Sequence, residues 1–252
     1  MKAIIFLAIL QGIAEFLPIS SSGHLVLGKA WLGLGEAGIR LDVCLHVGTL
    51  LAVAAFYFSV IKRIIVKLEW SYLLKIIVSS IPVGIVGVCF KDQLESAFAS
   101  TTAVGCALIF TGLILTATKF LPKGDNEVSF VRALWMGIAQ AIAILPGVSR
   151  SGMTLSAARI SKVGAEKSAE FSFLMSAPPI MGAALLEIVK SLKATEEAAV
   201  NEPSWGLCIL GAVMAAVVGY ISLKFLLKSL KSSWFWLFGP YCIIAGIFAI
   251  VK

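Results

Sequence analysis

From the N-terminus, apolar residues run from Ala3 to Leu17 and again from Leu25 to Leu34, with Pro18-Ile19-Ser20-Ser21-Ser22-Gly23-His24 between them. Neither piece reaches the roughly 20 residues a helix needs to cross a bilayer. The pattern predicts a re-entrant helix-loop-helix hairpin whose non-helical tip is buried in protein or lines a wet cavity. Full-length apolar runs follow at Leu41 to Ile61, Tyr72 to Phe90 and Thr101 to Leu121, with Lys91 to Glu95 read as a short mixed loop. A second interrupted element runs from Val131 to about Ile160 and breaks at Pro146 to Ser151. Phe171 to Val189, Trp205 to Leu227 and Trp234 to Val251 complete six predicted spans, and Thr195 to Pro203 reads as an exposed loop. Pro178-Pro179 should kink its span, because proline lacks the backbone donor. Trp205, Trp234 and Trp236 sit near span ends, where aromatic side chains favour the interface.

The two interrupted elements are related. Shifting Gln11 to Gly23 by 129 positions superimposes it on Gln140 to Gly152, with six of thirteen residues identical: Gln11, Ile13, Ala14, Ser20, Ser22 and Gly23. Where the first copy has Glu15, Ser21 and His24, the second has Ile144, Arg150 and Met153, with Thr154 opposite Leu25. Broken apolar segments at matching places in two halves point to an inverted internal repeat whose tips meet near the membrane midplane. The expected architecture is an all-α polytopic membrane protein: six transmembrane helices plus two re-entrant helix-loop-helix hairpins, in one domain over 1–252. The repeats cover about 1–121 and about 131–252.

Composition agrees with a membrane class: 59% of residues are hydrophobic and only 14% charged, a balance no soluble core could hide. The net charge of +7 does not point to nucleic acid, because the basic residues occupy short loops between apolar runs. Loops 62–67, 119–132, 159–167 and 224–231 hold twelve Lys and Arg against seven on the opposite side. The richer side should be cytoplasmic, with both termini outside and the tips entering from opposite faces. Lys2 before an apolar run imitates a signal peptide, but Gln11 and Glu15 interrupt it and no cleavage is expected. Five scattered cysteines lack metal-ligand spacing and read as packing residues.

Polar groups at membrane depth are costly and mark function by default. Gln11 and Glu15 are four apart and share a helix face. Glu15 can hold a divalent cation or act as a base. Of Ser20, Ser21 and Ser22, one suits a helix cap and the others a nucleophile or phosphate-binding role, and His24 reaches Ser21 if the turn closes. Arg150, between Ser149 and Ser151 and after Pro146-Gly147, matches a bidentate phosphate clamp, with Thr154 one turn further on. An ion pair between Arg150 and Glu15 is compatible with that role if a substrate anion displaces it.

At these residues the chain resembles the bacterial undecaprenyl-diphosphate phosphatases linked to bacitracin resistance. The resemblance rests on Gln11 to Glu15, Ser20 to His24 and the loop Pro146 to Thr154, and extends through Leu41 to Tyr57 and Phe171 to Ala183. It implies hydrolysis of undecaprenyl diphosphate to the monophosphate carrier at the outer face of the bacterial cell membrane, helped by Mg²⁺ or Ca²⁺, and with it a role in cell-wall synthesis. It further implies Gln11 and Glu15 as metal- or water-positioning groups, Ser21 as nucleophile beside Ser20, His24 as proton carrier, and Ser149, Arg150 and Thr154 as diphosphate binders. Many family members have Glu where this chain has Gln11, which leaves Glu15 more of the metal duty. Serine and direct water attack stay open, as does association into a homo-oligomer. A lipid-carrier flippase would use the same repeat design, and a scaffold with structural polar residues is the third reading.

Overall fold

The computed structural model describes residues 1–33, 39–98, 100–193, 203–232 and 234–251. The described elements are helical: α1 (Lys2–Ala14), α2 (Ser21–Trp31), α3 (Ile39–Phe56), α4 (Phe58–Val66), α5 (Trp70–Cys89), α6 (Lys91–Phe98), α7 (Thr101–Ala117), α8 (Phe130–Ile142), α9 (Arg150–Ile160), α10 (Ala165–Lys193), α11 (Trp205–Lys231) and α12 (Phe238–Val251). Both predicted breaks are present, between α1 and α2 and between α8 and α9. Serines set the restarts: the Ser20 side chain accepts from Gly23 N and that of Ser149 from Gly152 N, each satisfying an orphan donor of the first turn.

Among the described residues, four helical stretches are long and apolar enough to cross a membrane: Trp70–Cys89, Thr101–Phe120, Ala165–Leu186 and Trp205–Lys231. On α5, Leu74, Ile77, Ile81, Ile85 and Val88 are all exposed at three- and four-residue spacing, an apolar stripe that suits lipid rather than water.

Several expectations need correction. Leu41 to Ile61 is not one straight span: the chain leaves the helix at Tyr57 and turns by 72° into α4. Val60, Ile61 and Ile64 pack on the core while Lys62 and Arg63 are exposed, so α4 is two-faced in a way a crossing segment is not. If that bent pair counts as one span, five of the six expected crossings are long and apolar enough among the described residues. The last apolar run is a 3₁₀ turn, Phe235–Leu237, joined to α12, and falls among the shorter apolar helices. Lys91 to Glu95 belongs to α6 rather than a loop; Lys, Gln, Leu and Glu are good helix formers. Pro178-Pro179 does not interrupt α10. The carbonyl of Met175, which Pro179 cannot engage, is approached by Ser80 Oγ at 3.5 Å. The loop expected at Thr195 to Pro203 lies, up to Glu202, outside the described residues, as do Gly35 and Gly38.

Packing exchanges partners between the halves: α1 lies on α11 and α8 on α5, α3 touches both α11 and α10, and α7 pairs with α12. The α7–α12 seam depends on close backbone approach. A Cβ on Gly105 would lie 2.8 Å from Gly246 O, one on Gly112 2.7 Å from Gly239 O, and one on Gly239 2.7 Å from Gly112 O. Both glycine pairs sit seven residues apart, so small residues meet every second turn, as helix association in lipid requires. Gly112→Leu is expected to cost about 1–3 kcal/mol through overpacking. Thermal unfolding in detergent checks this, and an unchanged midpoint would remove the seam from the account.

Candidate active site at the two helix breaks

The breaks meet. Arg150 Nη2, at the start of α9, donates to Glu15 Oε1, just past the end of α1, at 2.6 Å. Glu15 Oε2 accepts from Ser21 Oγ at 2.6 Å and from Gln11 Nε2 at 3.0 Å. One carboxylate, only 7% exposed, thus joins a hydroxyl from its own tip to a guanidinium from the other. A lone buried carboxylate would be severely destabilised; with three donors on two oxygens it is satisfied. Arg150 also lies over the Phe173 ring, 5.3 Å from its centroid, while its Nη1 is buried without an acceptor among the described residues.

The surrounding contacts hold the tips together. Ser151 Oγ donates to Leu17 O at 3.2 Å, crossing from the second tip to the first. Thr111 on α7 donates to Gly147 O at 3.1 Å and accepts from Ser149 N at 3.0 Å. Gly147 has φ +95°, and a Cβ on Gly23 would lie 2.9 Å from its Cα, so glycine is needed on both sides. Ser20 too has a left-handed φ of 71°, strain of the kind that concentrates at functional turns. The two tips repeat one hydrogen-bond pattern, with Ser20 Oγ 3.4 Å from Ser22 Oγ and Ser149 Oγ 3.4 Å from Ser151 Oγ. Thr154 is fully buried and donates to Arg150 O at 2.9 Å, with Ser172 Oγ 2.6 Å away. It fastens the first turn of α9 to α10 and lies behind the Glu15–Arg150 contact.

The expected Ser21–His24 pair is not formed. His24 Nδ1 lies 2.8 Å from Ser20 O, which can only accept, so Nδ1 carries the hydrogen. Nε2 faces the Tyr241 hydroxyl at 2.8 Å, and the two rings stack at 5.7 Å. Both ring nitrogens are therefore committed, and the nearest base to the Ser21 hydroxyl is Glu15.

The model of the family described as bacitracin resistance protein BacA matches residues 4–248. An undecaprenyl-diphosphatase of Halothermothrix orenii is 40% identical over 254 residues, covering 98% of this chain and 96% of the relative. Proteins of the same name from Bacteroides thetaiotaomicron, 38% identical, and Desulforapulum autotrophicum, 36% identical, cover 97% and 98% of this chain and 96% of their own. The chain belongs to the BacA family. It is a multi-pass membrane protein.

In this BacA protein the divalent-ion question turns on the donor set. Among the described residues no three His, Cys, Asp or Glu side chains gather in a metal-binding group. Gln11 Oε1 is nevertheless buried without a partner among the described residues, beside the Glu15 carboxylate to which its own amide donates. Two protein oxygens fit an ion of the Mg²⁺ kind, which takes few protein ligands and completes its shell with phosphate and water.

Five side chains at the site escaped the sequence reading. His46 on α3 brings Nε2 to 3.8 Å from Glu15 Oε2, while its Nδ1 is held by Asp42 O at 2.8 Å. An ionisable residue inside an apolar run was the available signal, the same one that singles out Glu15. Tyr241, Phe173 and the hydroxyls of Thr111 and Ser172 come from three other helices, and no local pattern announces them.

Breaking the central pair from one side should be costly. Arg150→Met is expected to destabilise the fold by about 3–5 kcal/mol, because Glu15 stays buried without its cation. Adding Glu15→Gln should recover most of that loss. Thermal unfolding of the single and double variants reads the coupling, and additive effects would show that the pair does not act as a unit.

Proposed function

We propose that this BacA protein hydrolyses undecaprenyl diphosphate to undecaprenyl phosphate and phosphate. The activity is printed in the names of relatives aligned over nearly the whole chain. The observation that carries it here is the Glu15 carboxylate bridging the Ser21 hydroxyl and the Arg150 guanidinium. A nucleophile, its base and an anion clamp are the minimum set for phosphoryl transfer.

The diphosphate draws Arg150 away from Glu15, and the unpartnered Arg150 Nη1 gives it a second donor. Glu15 then takes the proton of Ser21, or of a water in its place, as the oxygen attacks the terminal phosphorus. The bond from that phosphorus to the bridging oxygen breaks, and undecaprenyl phosphate leaves with the electron pair. If Ser21 attacks, water releases the phosphate in a second step and the hydroxyl regains a proton. Stabilisation of the anionic charge is the largest contribution. His24 and Tyr241 fix the turn around Ser20 through their shared hydrogen bond, in which Nε2 is the ring atom able to take up a proton. Ser20, Ser22, Ser149, Ser151 and Gly147 shape the phosphate cradle, and Thr154 positions Arg150 from behind. Gln11 and Glu15 would hold Mg²⁺ or Ca²⁺, which would supply further neutralising charge.

For the architecture, the reading is one membrane domain built as an inverted repeat, about 1–121 and about 131–252, with two re-entrant hairpins. The matching caps of the tips and the exchange of packing partners between halves support it. Six crossings follow if the bent α3–α4 pair and the final apolar run each traverse the bilayer. The loop charges orient it in the bacterial plasma membrane with both termini outside, and a site open to the outside is what the family resemblance implies.

Ser21→Ala or Glu15→Gln in purified protein is expected to lower phosphate release from undecaprenyl diphosphate by on the order of 10²–10⁴-fold. Detergent abolishes sidedness, so release there separates hydrolysis from transport, and full release by either variant removes that residue from the chemistry. Gln11→Glu should bind Mg²⁺ or Ca²⁺ more tightly, since a second carboxylate replaces a neutral amide. Calorimetric titration with the ion alone checks this, and unchanged affinity removes Gln11 from the ion site.

A further inference from the structure

At the opposite end of α9 from Arg150, the chain forms a basic cavity of about 190 Å³. Nine residues along the helix separate Arg150 from Arg159, about 14 Å at the helical rise per residue. Lys119, Lys123 and Arg159 line this cavity with Leu121, Phe235 and Trp236. A smaller space of about 80 Å³ continues from it past Lys123, Arg159 and Lys231.

The charges at this end do not cancel. Lys231 is paired with Glu166, and Lys167 is paired with both Asp125 and Glu127. Among the described residues, Lys119, Lys123 and Arg159 have no carboxylate partner, and neither cavity is lined by an acidic side chain. Lys119 rests over the Trp236 ring at 4.6 Å, and Lys123 donates to Lys231 O at 2.8 Å. Arg159 donates through Nη2 to Leu121 O at 3.0 Å, but its Nε–H is buried and has no acceptor. A buried orphan donor on a guanidinium facing two further cations calls for an anion.

The walls are preformed. Asn126 N donates to Lys162 O at 2.9 Å and Gly164 N to Asn126 O at 3.2 Å, which ties the loop after α7 to the turn after α9. Phe235 and Trp236 give the cavity an aromatic side at a span end, the depth at which lipid headgroups lie. Basic pockets between helices at that depth suit phosphate-bearing headgroups.

We propose that the Lys119–Lys123–Arg159 cavity binds a phosphate group, distinct from the diphosphate site, carried by an anionic phospholipid or present as free phosphate. The shared chemistry is a tetrahedral oxyanion against one guanidinium and two ammonium groups.

The test is tryptophan fluorescence of the full chain in neutral detergent, with Trp236→Phe marking the contribution of the cavity. The titrants are phosphatidylglycerol, phosphatidylcholine and inorganic phosphate. A Trp236-dependent response to phosphatidylglycerol and not to phosphatidylcholine is expected, with affinity falling roughly fivefold for each of Lys119→Gln, Lys123→Gln and Arg159→Gln. A response to inorganic phosphate, weakened by the same changes, assigns the free ion as the source. Should Arg159→Gln misfold through loss of its bond to Leu121, the two lysine variants still decide. Equal responses to both lipids with none to phosphate, or affinities untouched by the lysine variants, overturn the proposal.

Discussion

A carboxylate and a guanidinium 2.6 Å apart, both largely withdrawn from solvent inside an apolar shell, form the constraint on which this structure depends. Either charge alone would be unaffordable there, and together they are stable only with their remaining hydrogen-bond positions satisfied. Ser21 and Gln11 complete the acceptor side, and Phe173 covers a face of the guanidinium. The chain therefore has to end α1 and begin α9 at one point in space. The contacts from Ser151 to Leu17 and from Thr111 to Gly147, and the glycine approach at Gly23, serve that meeting.

The two tips share a frame and differ in cargo. Both restart a helix on a serine cap with a second serine 3.4 Å away, so the backbone solution is common. At corresponding positions the first tip carries Ser21 and the second Arg150, and only the first carries a carboxylate. A symmetric pair would place like groups opposite each other; divergence places an acid opposite a base. The duplicated frame supplies position, and the unmatched side chains supply chemistry.

Much of this could be read from the residues alone, because the breaks violate an otherwise simple apolar pattern. Proline, glycine and a serine run inside a segment too short to span are local signals, and they located both tips and Arg150. What escaped depends on tertiary register. His24 was paired with Ser21 by spacing, yet its ring turns to Ser20 O and to Tyr241, which is 217 residues away. The bend at Tyr57 was hidden because Leu41 to Ile61 is predominantly apolar by count, and only the sidedness of Val60, Ile61 and Ile64 against Lys62 and Arg63 discloses it. His46 was overlooked inside that run, although ionisable groups there obey the same cost as Glu15.

The resting contact also explains how an anion site can persist without ligand. The first turn of α9 presents the positive end of the helix dipole, and Arg150 adds a full charge at the same place. Such a concentration of positive potential at membrane depth would be costly if empty. Glu15 occupies it as an internal anion, at the distance a substrate oxygen would take. A diphosphate carries more charge and more acceptor oxygens than one carboxylate, so it competes on favourable terms, and its entry releases Glu15 beside the Ser21 hydroxyl. Exchange of one anion for another thereby couples binding to the freeing of the base, and a buried carboxylate that has lost its guanidinium holds a proton more readily.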